Sequence, residues 1–336
     1  MSMFTRRQII AVAMATSFAT TPVLAQNTPV SIALDWTPNT NHIGLFVAQA
    51  QGYYAEAGLD VTILPYSDAA AGTLVANRVA DFGIMGTVSL YTQRTAGADL
   101  IATYAVTQTE TGRVVFNADR ADIQRPADLD GLTYGGFGSA WEIALIKTII
   151  QHDGGEGAFE TVTLGTSAYE ALANGAVDFT LEVYTWEGVK AELEGKAQRA
   201  FRYADFGVPD EHTTLIGSSQ AYLDANEKTA AAFIAATRRG YAFAVDHPDT
   251  AADIIMAANS DMLTDRALVV ASLQALVEGH YLRTSEGVLG TFEPAKMEAM
   301  GAFMFASGML KDGNGTALAV APDFSTYYTN AYAAGK

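Results

Sequence analysis

Short runs of β-branched and aliphatic residues alternate with longer stretches of helical periodicity over the first part of the chain. Residues 30–34 have the pattern of a strand that ends at Asp35-Trp36, and residues 44–57 that of a helix stopped by Gly58. The elements predicted next are a strand at 61–64, a helix at 72–80, a strand at 81–85, a helix at 87–95 with Thr87 as its cap, and a strand at 100–106. Strands separated by helices and short loops are typical of parallel βαβ units.

A second series of the same kind begins near Arg113. Its predicted strands are 114–117, 132–135, 176–183 and 213–217, and its predicted helices are 140–151 and 167–174. Apolar and polar residues alternate in the strand at 176–183, which predicts one core face and one face that reaches a cleft. The two sets are Phe179, Leu181 and Val183 for the core and Thr180, Glu182 and Tyr184 for the cleft.

Alanine-rich helical stretches dominate after Ser218. They are 225–246, 248–258, 264–278, 294–307 and 323–333. The simplest architecture is an α/β fold with two lobes joined by a two-segment hinge. Lobe one is then residues 26–108 and 217–336, and lobe two, residues 109–216, is inserted between them. Ligands in such folds bind in the crevice at the carboxyl ends of the strands.

The first 25 residues have the pattern of a signal peptide. Arg6 and Arg7 precede an apolar run at 9–19, and Val-Leu-Ala at 23–25 is a small-residue cleavage signal. The paired arginines favour twin-arginine export, whereas Gln-Ile-Ile at 8–10 leaves Sec export open. The run is too short to span a bilayer, and no later run approaches the ~18 apolar residues of a membrane helix. We therefore expect a protein exported to the periplasm.

The composition excludes several kinds of partner and site. The 336 residues are 49% hydrophobic and 17% charged, with 20 Lys and Arg against 37 Asp and Glu, a net charge of −17 that becomes −19 without residues 1–25. Such an acidic chain repels phosphate backbones, so we expect no nucleic-acid partner. Cys is absent, which excludes disulfides, thiolate metal sites and Cys nucleophiles. The five His residues have no metal-ligand spacing, so we expect neither a metal site nor a cofactor.

The stretch Asp-Trp-Thr-Pro-Asn-Thr-Asn-His at 35–42 follows the first predicted strand. Trp36 offers a flat stacking surface, Asp35 can accept a hydrogen bond from an amine or a ring N–H, and His42 can orient a neighbouring side chain. The alternative is structural: Asp35 and Asn39 cap the following helix, and Trp36 packs between the lobes. Residue chemistry alone leaves both interpretations open.

A Gly-rich turn at 135–139 leads into the helix at 140–151. Gly138 and Ser139 can bring backbone close to a small ligand. The turn is a poor phosphate loop, because no Lys follows it and Glu142 in the first helical turn would repel an anion. Glu142 either caps the helix or faces the cleft.

The end of the strand at 176–183 carries a third candidate group, Glu182, Tyr184, Trp186 and Glu187. A carboxylate in a cleft favours a cationic or N–H-rich partner, because burying it unpaired is costly. Glu187 can alternatively stabilise a helix N-terminus.

Two loops of lobe one place hydroxyl and backbone N–H groups where strands end. Ser67 precedes a predicted helix, and Gly86 and Thr87 follow a strand. Such groups usually cap helices, but the same atoms can line a ligand cleft.

Several stretches together resemble the ThiY-type family, the periplasmic substrate-binding components of ABC importers that are related to eukaryotic thiamine-pyrimidine synthases. The similar stretches are 35–48, 52–54, 57–59, 80–84, 142–147, 186–188 and 202–210. Trp-Thr-Pro-Asn-Thr-Asn-His is the specific signal, since Gly-Tyr-Tyr and Asp-Phe-Gly also occur across the nitrate-, sulfonate- and taurine-binding superfamily. The resemblance extends over residues 30–218 and implies a type 2 periplasmic-binding-protein fold.

The resemblance also implies a ligand and a partner: a thiamine pyrimidine precursor of the formylaminopyrimidine type, delivered by a monomer to an ABC permease in the inner membrane. The synthases depend on a Cys-rich segment and on histidines, so a chain without Cys is expected to be a binding protein and not an enzyme. The alternatives are a riboflavin precursor, a nucleobase or an alkyl sulfonate as ligand, and, less favoured, a synthase-like enzyme.

We assign stacking to Trp36 and Tyr184, contacts with amino and ring nitrogens to Asp35 and Glu187, and orienting hydrogen bonds to Asn39, Ser67, Gly138 and Ser139. The full set of expected ligand-binding residues is Asp35, Trp36, Asn39, His42, Ser67, Gly86, Thr87, Gly138, Ser139, Glu142, Tyr184, Trp186 and Glu187.

Overall fold

A computed structural model describes residues 27–332, so the signal segment expected at 1–25 lies outside the described residues. Within these residues, ten strands form two five-stranded sheets. The strands are β1 (Thr28–Ala33), β2 (Leu59–Leu64), β3 (Phe82–Gly86), β4 (Ile101–Ala105), β5 (Gly112–Asn117), β6 (Thr133–Gly136), β7 (Glu160–Thr163), β8 (Phe179–Val183), β9 (Gln198–Arg202) and β10 (Thr214–Ser218).

Sheet one has the strand order β2-β1-β3-β10-β4. β1 pairs in parallel with β2 and β3, whereas β10 runs antiparallel between β3 and β4. Every residue of β10 is buried. The structure thus places residues 214–216, expected above in lobe two, inside the first sheet between β3 and β4.

Sheet two has the order β7-β6-β8-β5-β9. β6 is parallel to β7 and β8, and β5 is antiparallel to β8 and β9. Both sheets are mixed and are covered by helices, which confirms the predicted α/β class. We call the part of the chain built on sheet one lobe one and the part built on sheet two lobe two.

The helices cover the sheets and connect the strands. They are α1 (Ile43–Ala50), α2 (Tyr53–Glu56), α3 (Ala71–Ala76), α4 (Thr87–Thr95), α5 (Ala140–His152), α6 (Ala168–Ala173), α7 (Val189–Leu193), α8 (Gln220–Ala225), α9 (Glu227–Asp246), α10 (Pro248–Ala258), α11 (Arg266–Glu278) and α12 (Pro294–Ala306). A π-helical turn, Tyr184–Gly188, joins β8 to α7. Within residues 27–332 no helix is long and apolar enough to cross a membrane.

Two crossing segments, residues 106–111 and 207–213, join the lobes and lie side by side. The backbone N–H groups of Val106 and Thr107 donate to the Thr214 carbonyl at 2.9 and 3.1 Å. Further along, the Glu110 backbone N–H donates to the Asp210 carboxylate at 2.8 Å. The segments therefore form a hydrogen-bonded hinge at the base of the interlobe cleft.

Two glycines allow α1 and α9 to pack closely. Gly44 lies against the ring of Tyr241, and a Cβ placed on Gly240 would lie 2.0 Å from the Gly44 carbonyl oxygen. No side chain fits at this contact without moving backbone. The contact holds the apolar α1, whose Leu45 and Val47 are fully buried, against the longest helix of the fold.

Three predicted helices differ from the structure. The stretch 44–57 is two helices, because Gly52 adopts a left-handed φ of +75° between them. The helix predicted at 225–246 begins two residues later, at Glu227, because Asn226, with φ and ψ of −134° and 35°, separates it from α8. The predicted helix at 323–333 is wrong: only a 3-10 turn, Phe324–Tyr327, forms there, and Tyr328 pairs with Ala102 at the edge of sheet one.

The sequence pattern missed β7 and β9, the two edge strands of sheet two. β7 is exposed at every residue, and β9 holds its two apolar residues, Ala200 and Phe201, between Gln198-Arg199 and Arg202. Short polar strands are typical of sheet edges, where an apolar strand would pair with other chains. Their sequences consequently lack the apolar signal by which buried strands are found.

Replacing Gly240 with Ala tests the close packing of α1 and α9. Ala favours a helix by about 1 kcal/mol over Gly, so the intrinsic effect of Gly240→Ala would be stabilising. Because the new methyl group meets the Gly44 carbonyl, we expect a net loss of about 1–3 kcal/mol in the free energy of unfolding, measured by urea denaturation. Ala235→Ser, on the exposed face of α9, should change it by about 0.5 kcal/mol at most. A Gly240→Ala variant as stable as the unaltered protein would contradict the tight contact.

Candidate functional site

A cavity of about 330 Å³ lies in the cleft between the lobes, at the carboxyl ends of β1, β3 and β8. We call it the aromatic cavity. The expected ligand-binding residues that line it are Asp35, Trp36, Asn39, His42, Gly86, Trp186 and Glu187. Further lining residues that were not expected include Thr40, Asn41, Phe137, Thr166, Tyr169, Val183, Thr185 and Thr213. The structure thus brings seven of the expected residues together, from both lobes.

The turn at 35–42 forms the wall of lobe one. Asn39 caps a 3-10 turn, Thr40–His42: its side-chain oxygen accepts from the Asn41 N–H at 2.9 Å, and its amide donates to the Thr37 carbonyl at 3.1 Å. The capping role considered for Asn39 is therefore present, and the same residue lines the cavity.

His42 orients Asp35 from beneath the cavity wall. Its Nδ1 accepts from the Asn39 N–H at 3.3 Å, so the proton is on Nε2, which donates to Asp35 Oδ1 at 2.9 Å. His42 is 1% exposed, whereas the side chain of Asp35 is 36% exposed. The second carboxylate oxygen of Asp35 remains available to a ligand.

The wall of lobe two is the π-helical turn Tyr184–Gly188. A π-turn inserts an extra residue into a helical turn and is frequent at functional sites. Here it carries Trp186 and Glu187 into the aromatic cavity. Trp186 also packs against the hydrophobic core of lobe one, so this turn touches both lobes.

Two hydrogen bonds made by the Ser272 hydroxyl link the two walls. The Thr40 and Ser272 hydroxyls are 2.6 Å apart, and Ser272 donates to the Thr185 carbonyl of the π-turn. All three residues are buried. The described conformation therefore has its lobes in contact beside the cavity.

Two polar atoms on residues lining the aromatic cavity are buried without a hydrogen-bond partner: Asn41 Oδ1 and Glu187 Oε2. Burial raises the pKa of Glu187 from 4.5 to about 7. Leaving a buried acceptor unpaired costs about 1–3 kcal/mol unless a donor completes it.

A second cavity of about 210 Å³ lies beside the hinge and is lined by residues of both crossing segments. We call it the hinge cavity, and its polar lining comprises Glu110, Tyr134, Glu142, Thr180, Glu182, Tyr203, Glu211 and Thr213. The two cavities share Phe137, Tyr169, Val183 and Thr213. Neither is lined by an Arg or Lys of the described chain, so the cleft is acidic throughout.

Glu182 differs from the other acids of the cleft because it is paired. Arg113 Nε donates to it at 2.8 Å, and the Arg113 guanidinium lies 4.1 Å from the centre of the Tyr184 ring. Tyr184, expected to stack on the ligand, thus packs on Arg113 and does not line the aromatic cavity.

The alternation assigned to 176–183 also needs correction at its end. Val183, expected in the core, is half-buried and lines both cavities. Glu182, expected to reach the cleft, lines the hinge cavity but is 4% exposed and ion-paired with Arg113.

The Gly-rich turn at 135–139 builds the start of α5. Ser139 caps the helix by accepting from the Glu142 N–H at 3.2 Å, and Glu142 Oε2 accepts from the Ser139 N–H at 2.8 Å. Gly138 has a φ of +73°, which favours glycine. Glu142 therefore caps the helix and also lines the hinge cavity, while Gly138 and Ser139 line neither cavity.

Ser67 and Thr87 also lie outside the two cavities. Ser67 is exposed and donates to the Ala69 carbonyl at 3.2 Å. Thr87 was expected to cap α4, but Gly86 is the N-cap, and the Thr87 hydroxyl donates at 2.5 Å to the His212 carbonyl of the hinge. Thr87 is consequently a link between α4 and a crossing segment.

Several residues of the cleft could not be singled out from the sequence. Asn41 stands inside the 35–42 motif, and Phe137 inside the Gly-rich turn, so both had a local signal. Tyr169, Glu110 and Glu211 had none, because their positions follow from the packing of segments that are distant in sequence. No group of three His, Asp or Glu side chains within residues 27–332 is arranged to hold a metal ion.

Comparison with known proteins identifies relatives of this chain. Residues 39–251 match the family described as NMT1/THI5 like. The formylaminopyrimidine-binding protein of Halalkalibacterium halodurans is 30% identical over 232 residues, which are 68% of this chain and 69% of that protein. A protein of Haemophilus influenzae assigned to thiamine biosynthesis is 27% identical over 226 residues, 66% of this chain and 71% of that protein.

Solved structures show the same fold. The periplasmic aliphatic sulphonate binding protein SsuA of Escherichia coli superposes with a TM-score of 0.62 at 16% identity, covering 83% of this chain and 85% of that one. This likeness and the two mixed sheets confirm the predicted periplasmic-binding-protein fold.

Replacing Glu187 with Gln tests the buried carboxylate of the aromatic cavity. A carboxyl whose pKa is higher in the folded state binds its proton more tightly there, so its contribution to stability is lost as pH rises from about 4.5 to about 7. In Glu187→Gln, the decrease in the free energy of unfolding between low and high pH should be smaller by up to about 3 kcal/mol. The measurement is urea unfolding of the ligand-free protein at pH 5 and pH 8. Glu160→Gln, on the exposed β7, should keep the original pH dependence, and an unchanged slope in Glu187→Gln would contradict the burial of this acid.

Proposed function

Since the chain belongs to the NMT1/THI5-like family, we propose that it is the substrate-binding component of an ABC importer. The ligand we propose is a thiamine pyrimidine precursor of the formylaminopyrimidine type, captured between the two lobes in the periplasm. The protein then delivers it, as a monomer, to a permease in the inner membrane.

The choice of ligand rests on one observation. Two buried acceptors on residues that line the aromatic cavity, Asn41 Oδ1 and Glu187 Oε2, have no hydrogen-bond partner. Asp35 adds a third acceptor, held in place by His42. A 4-aminopyrimidine offers an exocyclic amine whose N–H groups match such acceptors, and a carboxyl opposite an amidine-like edge forms paired hydrogen bonds.

A flat heterocycle also needs aromatic surfaces on which its ring can stack, and the cavity provides them. Trp36, Phe137, Tyr169 and Trp186 all line it. The Trp36 and Tyr66 rings are 5.1 Å apart, so Trp36 is supported from outside the cavity. Rings of this kind stack on a planar ligand and bury its faces.

The relative of 30% identity supports this ligand, because its name states that it binds formylaminopyrimidine. The absence of Arg and Lys from the described lining of both cavities weighs against an alkyl sulfonate, which requires cationic or donor-rich walls. A riboflavin precursor or a nucleobase shares the N–H donors of an aminopyrimidine, and a binding panel separates them. An enzymatic synthase is the less favoured alternative, since the chain has no Cys.

Ligand contacts from both lobes provide the expected basis for closure. Asp35 and Asn41 belong to lobe one, whereas Phe137, Tyr169 and Glu187 belong to lobe two. A ligand held by both sets stabilises the closed arrangement, the usual behaviour of hinged two-lobe binding proteins.

A thermal-shift and calorimetry panel tests the assignment. The ligands are the formylated aminopyrimidine, riboflavin, a nucleobase and taurine. At ~100-fold excess over its Kd, the true ligand should stabilise the protein by about 2.7 kcal/mol. We expect this for the aminopyrimidine alone. Stabilisation by taurine without stabilisation by the aminopyrimidine would overturn the proposed ligand.

Two substitutions test the acceptor positions by titration calorimetry. Glu187→Gln and Asn41→Ala should each weaken aminopyrimidine binding by about 1–3 kcal/mol, because each removes a hydrogen-bond acceptor. Ser67→Ala is the control, since Ser67 lies outside the cavity and should leave the affinity unchanged. Unaltered affinity in Glu187→Gln would remove this residue from the site.

A further inference from the structure

We propose that Ser272 is a positioning residue that holds the two lobes closed around the ligand, although it lies outside the aromatic cavity. Its hydroxyl joins Thr40 of the lobe-one wall to the Thr185 carbonyl of the lobe-two wall. We call these three residues the closure contact. The inference rests on the proposed function for the ligand and adds how the chain controls the release of that ligand.

Ser272 is a polar residue among the apolar residues of α11. It is fully buried, and the surrounding Val269, Leu273 and Leu276 belong to the hydrophobic core of lobe one. A Ser inside a helix commonly faces water or bonds a carbonyl of the preceding turn. Here the hydroxyl donates to the other lobe instead. Packing alone does not require a hydroxyl at this position, whereas a contact between the lobes does.

The two hydrogen bonds of the closure contact have a defined direction. A backbone carbonyl only accepts, so the single hydroxyl proton of Ser272 points at Thr185. The Thr40 hydroxyl, whose oxygen is 2.6 Å from that of Ser272, is therefore the donor of the second bond. Each of the three residues is at most 2% exposed, so water does not replace either bond while the lobes are together.

The π-helical turn explains why the Thr185 carbonyl is available to Ser272. In an α-helix the Val189 N–H would donate to the carbonyl four residues before it, which is that of Thr185. In this turn the Val189 N–H donates to the Tyr184 and Trp186 carbonyls. The Thr185 carbonyl thus loses its α-helical donor, and the donor it gains comes from lobe one.

The closure contact exists only while the lobes are together. Ser272 belongs to lobe one and Thr185 to lobe two, and neither residue is part of the crossing segments, so rotation about the hinge separates them. Thr40 and Thr185 also line the aromatic cavity. Opening of the closure contact consequently separates the two walls that hold the ligand, and the ligand leaves only after these hydrogen bonds break.

Apolar packing beside the closure contact favours the same arrangement. α7 packs against α11, and its Val189 and Ala191 are buried. Apolar burial stabilises such an interface but is not directional, whereas a hydrogen bond weakens steeply when its geometry changes. The Ser272 hydroxyl therefore selects, among the packed arrangements of the lobes, the one in which both walls face the cavity.

The rate at which the formylated aminopyrimidine is released tests the inference in Ser272→Ala. Without the hydroxyl, the closed state leaves the Thr185 carbonyl and the Thr40 hydroxyl short of a partner. We expect release to be about 10-fold faster and association to change by about 3-fold at most. The measurement is stopped-flow Trp fluorescence, since Trp36 and Trp186 line the cavity.

Thr237→Val is the matched control, because it removes a buried hydroxyl whose hydrogen bond stays within lobe one. The Thr237 hydroxyl lies 2.8 Å from that of Tyr54, and both residues are buried. Urea unfolding should show a lower midpoint in both variants, whereas only Ser272→Ala should release the pyrimidine faster. Release at the same rate from the two variants would make Ser272 a residue of the core alone and would overturn the proposal.

A distance measurement tests the closure contact without depending on the proposed ligand. The chain has no Cys, so spin labels attach only to introduced Cys residues. Ser67→Cys in lobe one and Ser167→Cys in lobe two place them at exposed positions next to residues of the cleft. In double electron–electron resonance of the ligand-free protein, Ser272→Ala should lower the ratio of closed to open molecules by about 10-fold.

The outcomes distinguish failure of the closure contact from failure of the proposed function. A distance distribution that Ser272→Ala leaves unchanged, with and without the pyrimidine, would overturn the closure contact and leave the proposed function standing. Faster release together with a shift to open molecules supports the closure contact. Failure of the pyrimidine to bind the unaltered protein would overturn the proposed function, and the distances in the ligand-free protein then decide the closure contact alone.

Discussion

The return of the chain through β10 is the constraint on which the rest of the structure depends. This strand is antiparallel to both of its neighbours and lies inside sheet one between β3 and β4, although all of lobe two lies between it and β4 in the sequence. Two segments must therefore cross between the lobes at the same place. Their pairing at Thr107 and Thr214 sets the base of the cleft, and the residues flanking β10 become cavity lining.

An excess of carboxyl groups over basic side chains is the chemical character of the cleft. Where an acid of the cleft serves the fold, it is satisfied: Glu182 has Arg113, and Glu142 has the N-terminus of α5. Glu187 retains a buried carboxylate oxygen without a partner. The fold sustains this cost because core burial elsewhere exceeds it, a common arrangement where a ligand supplies the missing partner.

The sequence predicted the fold class and most buried elements, because sheet strands and core helices carry strong apolar periodicity. It failed where local pattern and tertiary context diverge, at the polar edge strands β7 and β9 and at the 3-10 turn Phe324–Tyr327. For the site, contiguous motifs found the walls around Trp36 and Glu187. Residues such as Tyr169 and Glu211 enter the cleft only through long-range packing, which one sequence without its fold does not encode locally.

The same placement of β10 has a consequence for the order in which the polypeptide acquires its structure. Sheet two is formed by one continuous stretch, β5 to β9, whereas sheet one stays incomplete until β10 arrives from more distant chain. Closing that large loop is an entropic barrier, and contacts of high sequence separation form slowly. We infer that lobe two consolidates first and that the edges of β3 and β4 stay open meanwhile. During that interval the unpaired edges of β3 and β4 can pair with another chain and aggregate.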